Sequence, residues 1–276
     1  MSLNGEGVSE VAIRLGVFIG AFVIMAALER LWPRRELTTP RSRRWLTNIA
    51  IVVVDSLVVR AMAALSVPLA AVAAAFYAER SGWGLLNLVT LPGWLELLVA
   101  VVVLDFAIWL QHLLAHRIPV LWRQHQVHHA DPDNDVTTAI RFHPLEIGFS
   151  MLYKIAWVLL LGASPVAVIA FEVILNACAM FNHANVALPG WLDRVLRLAV
   201  VTPDMHRVHH STIPREHHTN FGFILLIFEG IFETYTPQPE GGHEGMTIGL
   251  APYGREAPSR IGWSLSVPFK RGRPPA

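Results

Sequence analysis

The sequence predicts an all-α fold, a polytopic integral membrane helical bundle of about four to five membrane segments, with a cytoplasmic helical cap carrying clustered histidines. Three observations predict it. Of 276 residues, 53% are hydrophobic and 16% charged, with mean hydropathy +0.44, whereas soluble domains are nearer a quarter charged. Several apolar runs approach the roughly 20 residues a helix needs to cross hydrocarbon at 1.5 Å per residue. The 13 histidines are also clustered, six between His112 and His143 and five between His206 and His218. A formal net charge of +1 gives no global field for nucleic acid. The single cysteine, Cys178, sits in an apolar run and excludes a disulfide framework and an iron–sulfur cluster.

The polar start, with Glu6 and Glu10, lacks the basic region and cleavage site of a secretory signal, so the first apolar run, Val11 to Trp32, reads as a retained anchor. Residues 29–44 carry Arg30, Arg34, Arg35, Arg41, Arg43 and Arg44, a cytoplasmic loop by the positive-inside rule, which puts the amino terminus outside. A second run, Trp45 to Phe76, contains Asp55 and Arg60 and is broken by Pro68. It fits one long kinked helix, or a helix followed by an interfacial segment. Residues 77–91 read as an outside or interfacial loop. A third span, Trp94 to His112, returns the chain inward and delivers His112 and His116, followed on the same side by the polar stretch 117–143. Pro144 to Leu161 goes out, Gly162-Ala163-Ser164-Pro165 reverses, and Val166 to Phe181 comes back to His183. So short a reversal also fits a hairpin that does not fully cross. Beyond it, residues 191–201 predict an amphipathic helix, 202–218 hold a second histidine triplet, and Phe221 to Phe232 is too short to span and is expected at the interface or beneath the site. The tail from Gly241 is rich in glycine and proline, with a basic end that is solvated or attracted to anionic headgroups. The whole chain, 1–276, is therefore expected to form one membrane domain: anchor helices over 1–91, a catalytic core over 92–236 and a tail over 237–276.

The chemistry lies in His125-x-x-His128-His129 and His206-x-x-His209-His210, with His112-x-x-x-His116 upstream of the first. On a helix, positions i, i+3 and i+4 share a face, so each triplet is expected to aim three imidazoles at one point, half of a metal site. With His183 the candidates number nine, too many for one ion, and two ions are the economical reading. Nitrogen donors without thiolate suit iron that activates dioxygen. Asp105 and Trp109 lie two turns and one turn before His112, where Asp105 is expected to hold a ligand's far N–H or to pair with a basic group. Glu172 and Asn176 share the face of His183; a carboxylate inside a membrane marks either a site or a structural hydrogen bond to a neighbouring helix.

The strings HLLAH, RQHQVHH, TTAIRFHPLE, FNHANV, TPDMHRVHHS and TNFGFILLIFEGIFETY resemble the fatty acid hydroxylase superfamily, also called the sterol desaturase family, over about residues 95 to 236. The resemblance implies a membrane di-iron oxidase that uses dioxygen and external electrons to hydroxylate or desaturate a lipid, such as a sterol or fatty acyl chain. Its three boxes fall on His112 and His116, on His125, His128 and His129, and on His206, His209 and His210, with His183 as the isolated ligand. His143 in RFHPLE is expected to fix the loop after the second box, with ligation as the alternative. His217 and His218 stand where the family more often has small polar or acidic residues, and Phe228-Glu229-Gly230 replaces a Trp-Asp-Arg-like triplet; both departures bear on substrate identity.

The chain carries no heme, flavin, dinucleotide or ferredoxin motif, so electrons are expected from a separate ferredoxin-, rubredoxin- or cytochrome b5-like protein. Arg117, Arg123, Arg207 and Arg215 are the candidate docking face, ordinary positive-inside bias being the plain explanation. Two rivals stand beside the oxygenase. A di-metal lipid lyase or hydrolase would need neither dioxygen nor reductant. A non-enzymatic histidine-rich metal-binding or transport protein predicts ligands spread through the depth of the spans.

Overall fold

The structure, a computed structural model, describes residues 6–64 and 71–270. Pro68 and the basic end from Arg271 lie outside the described residues. The first apolar run forms α1 (Glu6–Leu31), and the second resolves into α2 (Arg41–Ala64) and α3 (Ala71–Ser81). Four of the first five residues of α3 are alanine, a run that favours helix, so α3 reaches Ser81 and takes the start of the expected 77–91 loop. Only one 3₁₀ turn, Leu85–Leu88, follows within that loop.

Next come α4 (Gly93–Arg117), α5 (Pro119–His129), α6 (Pro144–Leu161) and α7 (Pro165–His183). α5, α6 and α7 each open on proline, whose missing N–H costs nothing in the first turn. The shorter α8 (Gly190–Leu196), α9 (Pro203–His209), α10 (Pro214–His217), α11 (Ile227–Ile231), α12 (Gly242–Gly245) and α13 (Ile261–Ser266) complete the chain. Among the described residues there is no strand beyond isolated bridges. One bridge, Val200 to Leu225, explains why α8 stops short of the predicted 191–201. Val201 N–H donates to Ile224 at 3.0 Å and Leu226 N–H to Ala199 at 3.0 Å, drawing that stretch out of the helix.

Among the described residues, four helices are long and apolar enough to cross a bilayer: α1 from Ala12, α4, α6 and α7. Along α2, Arg44, Thr47, Asn48 and Asp55 are all buried. α4, α6 and α7 join α3 around an apolar core of Leu104, Val158, Val168 and Phe171. Ile13, Val23, Leu98, Leu152 and Val166 point outward, as lipid-facing positions do. At the 162–165 reversal Gly162 adopts φ 71°, and a Cβ on Gly84 would stand 2.3 Å from the Gly162 nitrogen, so the two loops meet glycine to glycine.

The segment from Gly241 to Lys270 packs against α2 and α5. Met246, Ile248 and Leu250 are buried, and Val267 joins Ile51 of α2 and Val127 of α5. Beneath it runs a buried charge network. Arg44 Nε and Nη2 donate to the two oxygens of Asp131 at 2.6 and 2.9 Å, and Nη1 donates to Asp135 at 2.7 Å. Arg141 donates to Val127 O, Asn48 Oδ1, Pro258 O and Ser264 Oγ at 2.6 to 2.9 Å. These bonds tie α2, the loop between α5 and α6, and the C-terminal segment into one layer over the histidines.

Candidate metal centre

All nine histidines of the boxes and His183 are buried, with 0 to 6% of their surface exposed. They form two sets: His112, His116, His125, His129 and His209 in one, and His128, His183, His206 and His210 in the other, the ligand nitrogens of each set lying within 4.8 Å of one another. The triplets are therefore not aimed at single points as expected. Each is divided: α5 gives His125 and His129 to the first set and His128 to the second, while α9 and its end give His206 and His210 to the second and His209 to the first. The helix explains the division, because i+3 and i+4 fall about 60° and 40° to opposite sides of i. A triplet facing another helix across a shared axis reaches both sides of it.

Tautomers follow from the partners. A carbonyl only accepts, so Nδ1–H donates in His112 to Phe221 O at 2.7 Å, in His209 to Thr219 O at 2.7 Å, in His183 to Ala179 O at 2.7 Å and in His128 to Arg141 O at 3.2 Å. His125 Nδ1 donates to the Glu146 carboxylate at 2.6 Å. Every one of these rings turns a bare Nε2 inward. Nε2 of His128 faces Nε2 of His183 at 3.1 Å, two lone pairs pointing at each other. Nε2 of His112 and of His209, and both nitrogens of His210, are buried without a partner. Burial, followed by the neighbouring imidazoles, holds His128, His129, His206, His209 and His210 well below the ordinary histidine range, so these rings stay neutral and keep their lone pairs.

A cation in each set resolves both problems, and the spacing fits. Imidazole nitrogens side by side on one ion at about 2.1 Å each stand about 3 Å apart. The observed Nε2 separations, His116–His129, His125–His129, His128–His183 and His183–His206, are all 3.1 Å. A donor set of neutral nitrogen suits iron, zinc, copper or nickel.

A cavity of about 160 Å³ opens beside the first set. His112 and His125 form one wall, Ile108, Ile147, Leu175 and Phe223 supply apolar surface, and Gln111, Ser150 and Asn176 add polar groups. Phe221 stacks edge-on against His112, His116 and His209, which puts the 221–232 segment beneath the site.

Other expected supports lie elsewhere. Asp105 accepts the Leu225 N–H at 2.9 Å, so it holds that segment and touches neither a ligand nor a basic group. Trp109 Nε1 donates to Glu229 at 3.1 Å. Glu172 pairs with Arg14 of α1 and Lys154 of α6, the structural alternative, while Asn176 donates to its backbone. His143 stands outside both sets and caps α6, accepting from Leu145 N–H at 3.2 Å. Arg207 is buried against Asp204 and the Ala184 carbonyl, so it leaves the candidate docking face. Glu146 went unpredicted; its signal was an acid in the first turn of a helix opening on proline, directly after His143.

An ornithine lipid hydroxylase, OlsE, from Rhizobium tropici is 26% identical over 245 residues, 84% of this chain and 70% of that protein. Alkylglycerol monooxygenases from Xenopus tropicalis and Homo sapiens are 30% and 29% identical over 145 and 144 residues, 52% of this chain but 31% of theirs. The chain thus spans about a third of the monooxygenases it matches. No solved structure matches. These relatives are oxidoreductases, and the fatty acid hydroxylase family model covers residues 97–234, from the membrane helix carrying the first histidines to the segment packed beneath them: this chain belongs to the fatty acid hydroxylase family.

Proposed function

We propose that the nine histidines hold two iron ions, and that the chain uses dioxygen and external electrons to hydroxylate or desaturate a C–H bond of a lipid entering from the bilayer. The observation that carries this reading is the sorting of nine buried imidazoles into sets of five and four with lone pairs turned inward. Bound iron would supply the oxidising chemistry on dioxygen. The chain's residues do the rest. His112, His116, His125, His129 and His209 would hold one ion, and His128, His183, His206 and His210 the other. Glu146 and the Phe221, Thr219, Ala179 and Arg141 carbonyls fix the rings' tautomers and orientation. Ile108, Leu175 and Phe223 exclude water from the cavity, and its polar wall suits a chain bearing a polar group close to the reacting carbon.

The ornithine lipid and alkylglycerol of the relatives' names both join a polar group to a long chain, which supports a membrane lipid of that kind as substrate. Electrons would come from a separate carrier, and the exposed Arg117 and Arg215, at the ends of elements that carry His116 and His217, suit an acidic one. The cap is read on the cytoplasmic side.

The test is metal and oxygen accounting. Protein purified from iron-supplemented cells should carry two irons per chain, one for each set, and cells expressing it under ¹⁸O₂ should accumulate a lipid bearing one labelled oxygen or lacking two hydrogens. A His128→Ala, His209→Ala double variant should lose both. A folded parent that binds no metal overturns the proposal. Turnover without dioxygen transfers it to the hydrolase or lyase reading.

A further inference from the structure

His217 and His218 stand outside both sets yet touch them. The His217 ring is buried 4.5 Å from that of His129 and 4.9 Å from that of His116. The half-buried His218 ring lies 5.0 Å from His217 and 5.5 Å from His116. Ligand nitrogens of His116, His217 and His218 lie within 4.8 Å of one another. Rings in this triangle are thus 4.9 to 5.5 Å apart, close to the 4.3 to 5.2 Å between neighbouring rings of the four-histidine set.

The donors are also available. One His217 nitrogen is held by the Ser211 backbone, leaving the lone pair of the other. Nδ1 of His116 and Nδ1 of His218 are buried without a partner. His116 and His217 are 6% and 4% exposed, whereas His218 is half-buried and reaches solvent. The eight other imidazoles are 0 to 4% exposed, and the more exposed His218 is a point of entry for an ion bound for them.

We propose that His116, His217 and His218 form a third imidazole site, a staging position where one divalent first-row transition ion is taken from solvent and handed to the five-histidine set through the shared His116. The inference rests on the two sets being metal sites. Three neutral nitrogens with water in the remaining positions bind such an ion. Fewer ligands and the guanidinium of Arg117 beside His218 make the site weaker than the five-histidine set, so transfer runs downhill. As the ion passes from the Nδ1 lone pair of His116 to its Nε2 lone pair, the ring proton moves from Nε2 to Nδ1, and the ion keeps its charge and oxidation state.

The test is the kinetics of loading. Metal-free full-length protein in detergent is mixed anaerobically with Co²⁺, uptake is followed by visible absorption, and final stoichiometry by elemental analysis. A His217→Gln, His218→Gln variant should load about tenfold more slowly and reach the parent's final stoichiometry. His218→Gln alone, at a half-exposed position, should fall between them. Parent-like rates in both variants overturn the inference. So does a lower final stoichiometry, which would make the pair permanent ligands. A parent that takes up no Co²⁺ overturns the metal-centre reading itself, so the two failures are distinct.

Discussion

Two buried polar regions flank α5, and they are finished differently. On one side, Arg44 is paired with Asp131 and Asp135, Arg141 donates to Asn48, Ser264 and backbone carbonyls, and Asn48, Thr137 and Thr138 take up further bonds. Arg44 directs each of its three guanidinium nitrogens at a carboxylate oxygen. On the other side, nine imidazole rings press together, several with nitrogens that meet nothing or meet another ring nitrogen. Burial is equally complete in both. A buried polar cluster that closes on itself is structure, whereas one left open is a site waiting for a charge from outside.

The sharpest way to break this contrast is at its closed end. Arg44→Ala leaves Asp131 and Asp135 buried without their shared partner, and removing one member of a buried pair costs about 3 to 5 kcal/mol. The variant should unfold at markedly lower denaturant in detergent, with or without metal. Parent-like stability would show that this layer does not hold the cap. Asp131→Asn keeps part of the hydrogen bonding and should cost less.

The open end should respond in the opposite sense. His128→Gln removes one of two facing lone pairs, so the metal-free variant should lie within about 1 kcal/mol of the metal-free parent. Metal should separate them: a ligand at a hundred times its dissociation constant stabilises by about 2.7 kcal/mol, and the parent should gain this from the four-histidine set while the variant does not. A chelator should return the parent to the variant's unfolding midpoint. Equal gains in both would remove His128 from that set.

A smaller difference lies in acid. Burial pushes the His217 imidazole down to about 3, against about 6.5 in an unfolded chain. Between those values the unfolded chain binds the extra proton, so stability falls as pH drops from 6.5 towards 3. Unfolding midpoints of the parent should fall more steeply over that window than those of His217→Gln, and parallel curves would show that His217 takes up its proton without unfolding.

How much of this could be read in the sequence divides along the same line. The nine imidazoles were legible because helical spacing and repetition are local, and so were the boundaries of α6 and the 162–165 reversal, marked by proline and glycine. The sharing of each triplet between two sets was not, since it depends on how α5 and α9 face each other. Arg44 read as one more arginine of a cytoplasmic loop, because its partners Asp131 and Asp135 are 87 and 91 residues away. Asp105 was placed by helical face alone, and its actual partner is 120 residues further on.

The smallest expected effect tests whether a carboxyl near the centre belongs to the closed kind or the open kind. Glu229 accepts from Gly222 N–H, Trp109 Nε1 and Thr234 Oγ1, so its geometry is closed. Burial nevertheless pushes its carboxyl up to about 7, those hydrogen bonds working against the rise. A folded value above the unfolded one means the folded chain keeps a proton that the unfolded chain releases. The resulting stability is complete below about 4.5 and lost as pH rises through 7. Glu229→Gln imitates the protonated form and can still accept from Gly222 and Trp109. It should match the parent near pH 4.5 and exceed it at pH 8 by about 1 kcal/mol, in unfolding followed at both pH values. A variant weaker than the parent at both would show that Glu229 works as a carboxylate, its charge balanced by its three donors.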